Sequence, residues 1–224
     1  MKKTIVSILL LLPLVISAQG IIDKEVGEFN EIKVFDLIEV NLIRSDQNKI
    51  LIKGHNVEDI RWSNTNGTLK LRMKLDKKFQ GEDTVIEVFH TDLTVIDANE
   101  GSKVECNELV EQPRIELRAQ EGARIHIGMD VDHAQIRAVS GGIVEASGMA
   151  KSQDVVLNTG GIFQGEDLHT SHTNIKISAG GEAEVHASDT VDIDLKAGGE
   201  VTVHGQPKNV YKKTFVGGSI HIVE

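Results

Sequence analysis

The chain has 224 residues, with 24 Lys plus Arg against 34 Asp plus Glu, a formal net charge of −10 with the histidines neutral. So acidic a surface excludes the basic footprint that nucleic acid or anionic lipid requires; 40% hydrophobic and 26% charged residues exclude a disordered chain. The single Cys, Cys106, excludes an intrachain disulfide, so the fold must rest on its core, and a buried thiol is expected.

Residues 1–18 read as a cleaved secretory signal: Lys2 and Lys3, an apolar run from Ile5 to Ile16, and the small pair Ser17-Ala18 ahead of Gln19. The run is shorter than a membrane-spanning helix needs, and no Cys stands near the cut to carry a lipid anchor. The expected mature chain starts at Gln19, has no transmembrane segment, and is exported to the periplasm, the outer cell surface or the medium.

Residues 19–92 are strand-like. Ile32–Val34, Leu37–Leu42, Ile50–Ile52, Leu69–Met73 and Val85–Phe89 alternate or run apolar, and Asn66-Gly67 marks a two-residue hairpin. The strand after it puts Leu69, Leu71 and Met73 on one side and Lys70, Arg72 and Lys74 on the other. This block is expected to form a β cap continuous with the C-terminal part of the chain, its basic residues guarding an exposed edge. A basic binding patch is the alternative.

Residues 93–224 repeat. Similar turns recur at Asn99-Glu100-Gly101, Gln120-Glu121-Gly122, Ser140-Gly141-Gly142, Thr159-Gly160-Gly161, Ala179-Gly180-Gly181, Ala197-Gly198-Gly199 and Val216-Gly217-Gly218. Counted on the last Gly of each, the spacings are 21, 20, 19, 20, 18 and 19 residues. Between the turns the apolar residues alternate with period two, which excludes helix and marks strands with one buried face. Ile115, Leu117 and Ala119, Ile175, Ile177 and Ala179, and Ile193, Leu195 and Ala197 should point inward before the turns, and Val144 and Ala146, Ala183 and Val185, and Val201 and Val203 after them. In the first two repeats the inward pairs, Val104 with Cys106 and Ile125 with Ile127, fall one residue later, which predicts a one-residue bulge at those turns. Units this short cannot bury a face alone, so they must stack as a solenoid around one core. At about 3.3 Å per residue such a coil has a perimeter of roughly 64 Å, and coils stack about 4.8 Å apart.

With these coils, and with the segment from Phe29 to Ile43 reading FNEIKVFDLIEVNLI, the sequence resembles the head GIN domain family of auto-transporter adhesins over about residues 26–222. The resemblance implies an all-β, single-stranded, right-handed parallel β-helix in the envelope of a Gram-negative bacterium. Family members typically carry Gly-Ser-Gly at the turns, whereas this chain has Gly-Gly in five and Glu-Gly in two. The family supplies no catalytic residues to carry over.

Stacked coils align outward side chains into columns. One should run Glu105, His126, Glu145, Gln164, Glu184, Thr202, His221, and the next Asn107, Gly128, Ser147, Glu166, His186, His204, Val223. In the second, Glu166, His186 and His204 are the candidate metal ligands, an imidazole and carboxylate set suited to zinc or copper; His169 and His172 lie nearby in a loop. A solvated polar ladder is the bland alternative. The least poor catalytic candidates are Asp192 and Asp194, since glycoside hydrolysis needs paired carboxylates, with Asp130 and Asp132 behind them. The repeats hold no Trp to stack on a sugar, and no nucleophile or phosphate-binding motif is present. The expected function is therefore a non-enzymatic adhesin or envelope scaffold without a cofactor. It would contact a polysaccharide, a protein or another copy of itself through its outward polar face. A carbohydrate-active enzyme or a metal carrier are the alternatives.

Overall fold

The structure, a computed structural model, describes residues 20–223 apart from residues 55 and 83; the signal segment expected over residues 1–18 lies outside them. Sixteen strands succeed one another: β1 (Ile21–Glu25), β2 (Glu31–Val34), β3 (Glu39–Arg44), β4 (Lys49–Gly54), β5 (Ile60–Thr65), β6 (Thr68–Met73), β7 (Thr84–His90), β8 (Val95–Ala98), β9 (Lys103–Gln120), β10 (Arg124–Val139), β11 (Ile143–Asn158), β12 (Gly161–Ile177), β13 (Gly181–Ala197), β14 (Glu200–His204), β15 (Asn209–Val216) and β16 (Ser219–Ile222). From β9 onward the pairing is parallel and coil stacks on coil, as a solenoid requires. The molecule is a parallel β-solenoid of about 7 turns.

Apolar columns fill the tube. One runs Leu69, Ile32, Ile96, Leu117, Ile136, Val155, Ile175 and Ile193, coil on coil. All eight are buried, and each contributes about 1.5–3 kcal/mol relative to exposure. Another runs Val104, Ile125, Val144, Phe163, Ala183 and Val201, where the large Phe163 is followed by the small Ala183, so volume is conserved along the column. Cys106 is buried as expected, and burial pushes its thiol above the ordinary Cys value.

Residues 21–92 supply both coils and a cap. β2 and β3 form a coil in register with the repeats, Val34 beside Ala98 and Val40 beside Val104. β6 and β7 form a further coil outside it, although they come later in the chain. Antiparallel β1, β4 and β5 close that end. Asn66 and Gly67 make the expected hairpin, both at positive φ. The basic residues of β6 do not guard an edge, because β6 is paired on both sides. Lys70 and Arg72 instead lie over the Phe35 ring, and Lys74 pairs with Asp59 at 2.8 Å. At the other end the register position after Ile193 is Lys212, an exposed charge on the last strand where the core column would continue. A charge at such a position on a terminal strand discourages further stacking.

The turn ladder corrects the sequence reading in three ways. The lone Gly101 and Gly122 align with the first Gly of the later pairs, so no bulge is needed at those turns. The irregularities fall mid-coil instead, between Ile127 and Met129, between Glu145 and Gly148, and on either side of His169–Thr170. Ala179 and Ala197 are not inward, because the last three turns place both positive-φ residues in the Gly pair, whereas the earlier ones place the first on Glu100, Glu121, Ser140 or Thr159. The ladder also starts earlier, at Asp36-Leu37, both at positive φ without glycine, with the Leu37 amide donating to the Glu100 carbonyl at 3.0 Å.

Asp36 is fully buried there; its Oδ2 accepts the Met73 amide at 3.0 Å and its Oδ1 has no partner among the described residues. Burial first, then the neighbouring Asp36 carboxyl, push the Glu100 carboxyl above its ordinary value against the opposing pull of Lys78 and Arg72. The folded chain therefore holds this proton to higher pH than the unfolded chain does. The stability so gained is complete below the ordinary Glu value and is lost as pH rises through the raised one. Glu100→Gln, neutral throughout, is expected to melt in urea like the wild type at pH 4 and at a higher midpoint at pH 8. Equal midpoints for the two proteins at both pH values would show that Glu100 is not held above its ordinary value.

Candidate functional site

The alternation that buries one face of every coil projects the other as columns about 4.8 Å apart. The first expected column forms as read, Glu105, His126, Glu145, Gln164, Glu184, Thr202 and His221 standing in register, with Asn41 ahead of it. It satisfies itself in part: His126 Nδ1 lies 2.9 Å from Glu105 Oε2 and its Nε2 lies 3.8 Å from Glu145 Oε1.

The second column differs. Residues 166–168 bulge out of β12, Gly165 pairing with Val185 and His169 with His186, so His169 takes the register position expected for Glu166. The rings of His169 and His186 meet tilted at 59° with centroids 4.1 Å apart, and His186 is in register with His204. Glu166 reaches back only to His204, at 3.9 Å from its Nε2. Burial first, then the imidazoles of His169 and His204, hold His186 below the ordinary His value. Among the described residues no three His, Cys, Asp or Glu side chains gather closely enough to hold a metal ion.

The opposite flank carries a groove. Its columns run Glu116, Gln135, Asp154, Asn174, Asp192, Tyr211 and, beside it, Lys33, Asp97, Arg118, Arg137, Val156, Lys176, Asp194, Lys213. At the N-terminal end the charges pair with one another. Lys33 lies 3.2 Å from Glu31 and 3.3 Å from Asp97, and Arg118 lies 2.6 Å from Glu116 and 3.3 Å from Glu31. Lys33 and Arg118 are accordingly held above their ordinary values by these carboxylates, against burial. At the C-terminal end the same columns open into a solvent-exposed groove of about 570 Å³ crossing β11, β12, β13 and β15. There the side chains of Lys176, Asp192, Asp194 and Lys213 line the groove and form no hydrogen bond or ion pair with another described residue.

The floor of this groove is fixed by inward polar residues that the binary pattern did not single out. Gln153 Nε2 donates to Thr173 Oγ1 at 3.0 Å, and Thr170 and Thr173 share a hydrogen bond at 2.7 Å. Asn174 Nδ2 donates to Asp154 Oδ1 at 3.2 Å, and His133 lies 3.5 Å from Asp154 Oδ2, orienting the acceptor wall. Asp192 and Asp194, the carboxylates picked out from the sequence, do line the groove; Asp130 and Asp132 line a separate, smaller hollow of about 320 Å³ with His169 and His186. Beyond Asp192 the column ends on Tyr211, 58% exposed, and Phe215 on the same strand is 85% exposed. Neither stands out in the sequence, where the repeats lack Trp, and Tyr211 and Phe215 carry no periodic signal.

The family described as "Putative auto-transporter adhesin, head GIN domain" matches residues 28–207. No curated protein matches the chain. Among solved structures, a "putative adhesin" from Bacteroides fragilis NCTC 9343 superposes with a TM-score of 0.85 at 16% identity, covering 92% of this chain and 98% of its own. A "putative adhesin" from Parabacteroides distasonis ATCC 8503 gives 0.72 at 18% identity, covering 92% and 97%. A "Putative lipid binding protein" from the same organism gives 0.70 at 17% identity, covering 93% and 98%. At such identities these likenesses establish the solenoid fold.

Proposed function

The chain belongs to the head GIN domain family of auto-transporter adhesins, and we propose that it is a non-enzymatic binding protein of the bacterial envelope, contacting a surface macromolecule through an outward polar flank. One observation carries this reading: on a flank whose N-terminal charges neutralise one another, the C-terminal coils leave Lys176, Asp192, Asp194 and Lys213 unengaged around an open groove. Side chains that fold into no internal pair are available to a partner, and a shallow site spread over several coils suits an extended chain better than a small substrate. Among the described residues no helix is long and apolar enough to cross a membrane. An exported location fits the family and the N-terminal segment.

Catalysis is supported less well. Asp192 and Asp194 leave one strand in the same direction, whereas glycoside hydrolysis places its two carboxyl groups on either side of the scissile bond. The test is an array of bacterial and host glycans and envelope proteins probed with the mature chain, followed by product analysis of any ligand retained. Saturable binding with the ligand recovered intact is the expected result. A ligand recovered cleaved would overturn the non-enzymatic reading, and silence across the array would overturn the binding reading.

A further inference from the structure

Resting on that reading, we infer that the groove across β11–β13, together with Tyr211, is a subsite for an uncharged, hydroxyl-rich polysaccharide lying across the coils. Four features of the molecule converge on this ligand class.

The first is the sign of the lining. Asp154, Asp192 and Asp194 stand among Lys176, Lys213 and His172, so neither a polyanion nor a polycation finds a uniform counter-charge. A sugar hydroxyl suits such a surface, because it donates to a carboxylate and accepts from an ammonium or an amide at once. The second is spacing. Asp154, Asn174 and Asp192 recur once per coil in one column, about 4.8 Å apart, close to the length that one hexose adds to an extended chain. The third is availability. The Lys176, Asp192, Asp194 and Lys213 side chains have no partner among the described residues, so a ligand need not break an internal ion pair to reach them.

The fourth feature is the aromatic end of the column. Tyr211 comes next after Asp192 in register, points outward and is largely exposed. A flat ring carrying a polar hydroxyl offers one face to the C–H side of a pyranose and a donor to its rim. The groove and the ring thus divide the recognition of a sugar, hydroxyl edges in one and the apolar face on the other. Phe215, two outward positions further along β15, extends the apolar platform.

The test uses the full mature chain and defined oligosaccharides: gluco-, manno-, galacto- and xylo-hexamers, with oligogalacturonate as the charged comparison, titrated by calorimetry. Tyr211→Ala and the Asp192→Asn/Asp194→Asn pair are expected to weaken the best neutral hexamer by about tenfold each, while His126→Ala on the opposite flank leaves it within about twofold. The chain holds one Tyr, so nitration by tetranitromethane reads Tyr211 alone, and the bound hexamer should protect it. That measurement needs no variant and does not depend on how a variant folds. Binding unaffected by the groove variants, with Tyr211 unprotected, would overturn the groove while leaving surface binding intact. Preference for oligogalacturonate would overturn the uncharged class. Binding of an envelope protein with silence from every sugar would overturn the inference and spare the broader reading.

Discussion

Gly161→Ala is expected to destabilise the solenoid on the order of 3–5 kcal/mol, whereas Gly160→Ala, its neighbour in the same turn, should cost about 1–2 kcal/mol. The two residues read alike in the sequence and do different work. Gly160 sits at φ +72 with nothing within 4 Å of where a Cβ would be, so the cost there is that of the left-handed backbone alone. A Cβ on Gly161 would lie 2.0 Å from the Ala138 carbonyl oxygen of the neighbouring coil, and one on Gly142 would lie 2.1 Å from the Ala119 carbonyl oxygen. Relief would require the coils to part, breaking the ladder on both sides. Ser102 and Ala123 occupy the equivalent place in the earlier coils, so a side chain is admitted there but not further along. Urea unfolding of the two variants measures the difference. Equal losses would mean that the turn at Gly161 relaxes into the arrangement of Ala123.

Val203→Asp should unfold the C-terminal coils, while the double substitution His186→Ala/His204→Ala should leave the melt within about 1 kcal/mol of the wild type. Val203 is fully buried between Val185 and Ile222 in one inward column, and an ionised carboxylate placed there has neither water nor a counter-charge. Because each coil contacts only its neighbours, the damage should spread along the last coils before it reaches the capped end, where hydrogen exchange would find protection retained longest. The two imidazoles face outward and are only partly buried, and Nδ1 of His186 and Nε2 of His204 lack hydrogen-bond partners among the described residues, so little is lost with them. A larger loss from the His pair than from Val203→Asp would reverse the assignment of inside and outside on β13 and β14.

Periodicity made the solenoid readable. A strand with one buried face must alternate, a coil that closes on itself must return after a fixed length, and both constraints are local, so Val104, Ile125, Val144 and the Glu105–His126–Glu145 column could be placed by counting. The resemblance over Phe29–Ile43 named the family on the same local evidence. Counting fails where register depends on a neighbour. The three-residue excursion at 166–168 removes Glu166 from the His186 column, and nothing in β12 alone announces it, because the bulge is defined only by what β13 pairs with. The coil at Asp36-Leu37 lacked its signature glycine, since the buried Asp36 and the bond from the Leu37 amide to the Glu100 carbonyl of the next coil hold a backbone that Leu rarely adopts. The exchange in stacking order, with β6 and β7 outside β2 and β3, arises from pairing between segments far apart in the chain.

The groove divides in the same way. Asp192 and Asp194 were legible as outward acids. Their lack of partners, and the presence of Tyr211 beside them, were not, because Tyr211 reaches the column only when β15, following β14 in the last coil, pairs along the second half of β13. By itself the sequence determined the alternation, the coil length, the buried columns and the acidic exterior, all of which depend on neighbours in the chain. Tertiary structure alone decided which charges neutralise one another, where the irregular coils break a column, and which side chains remain free, since each of these depends on residues brought within a few ångströms from coils about 20 residues apart.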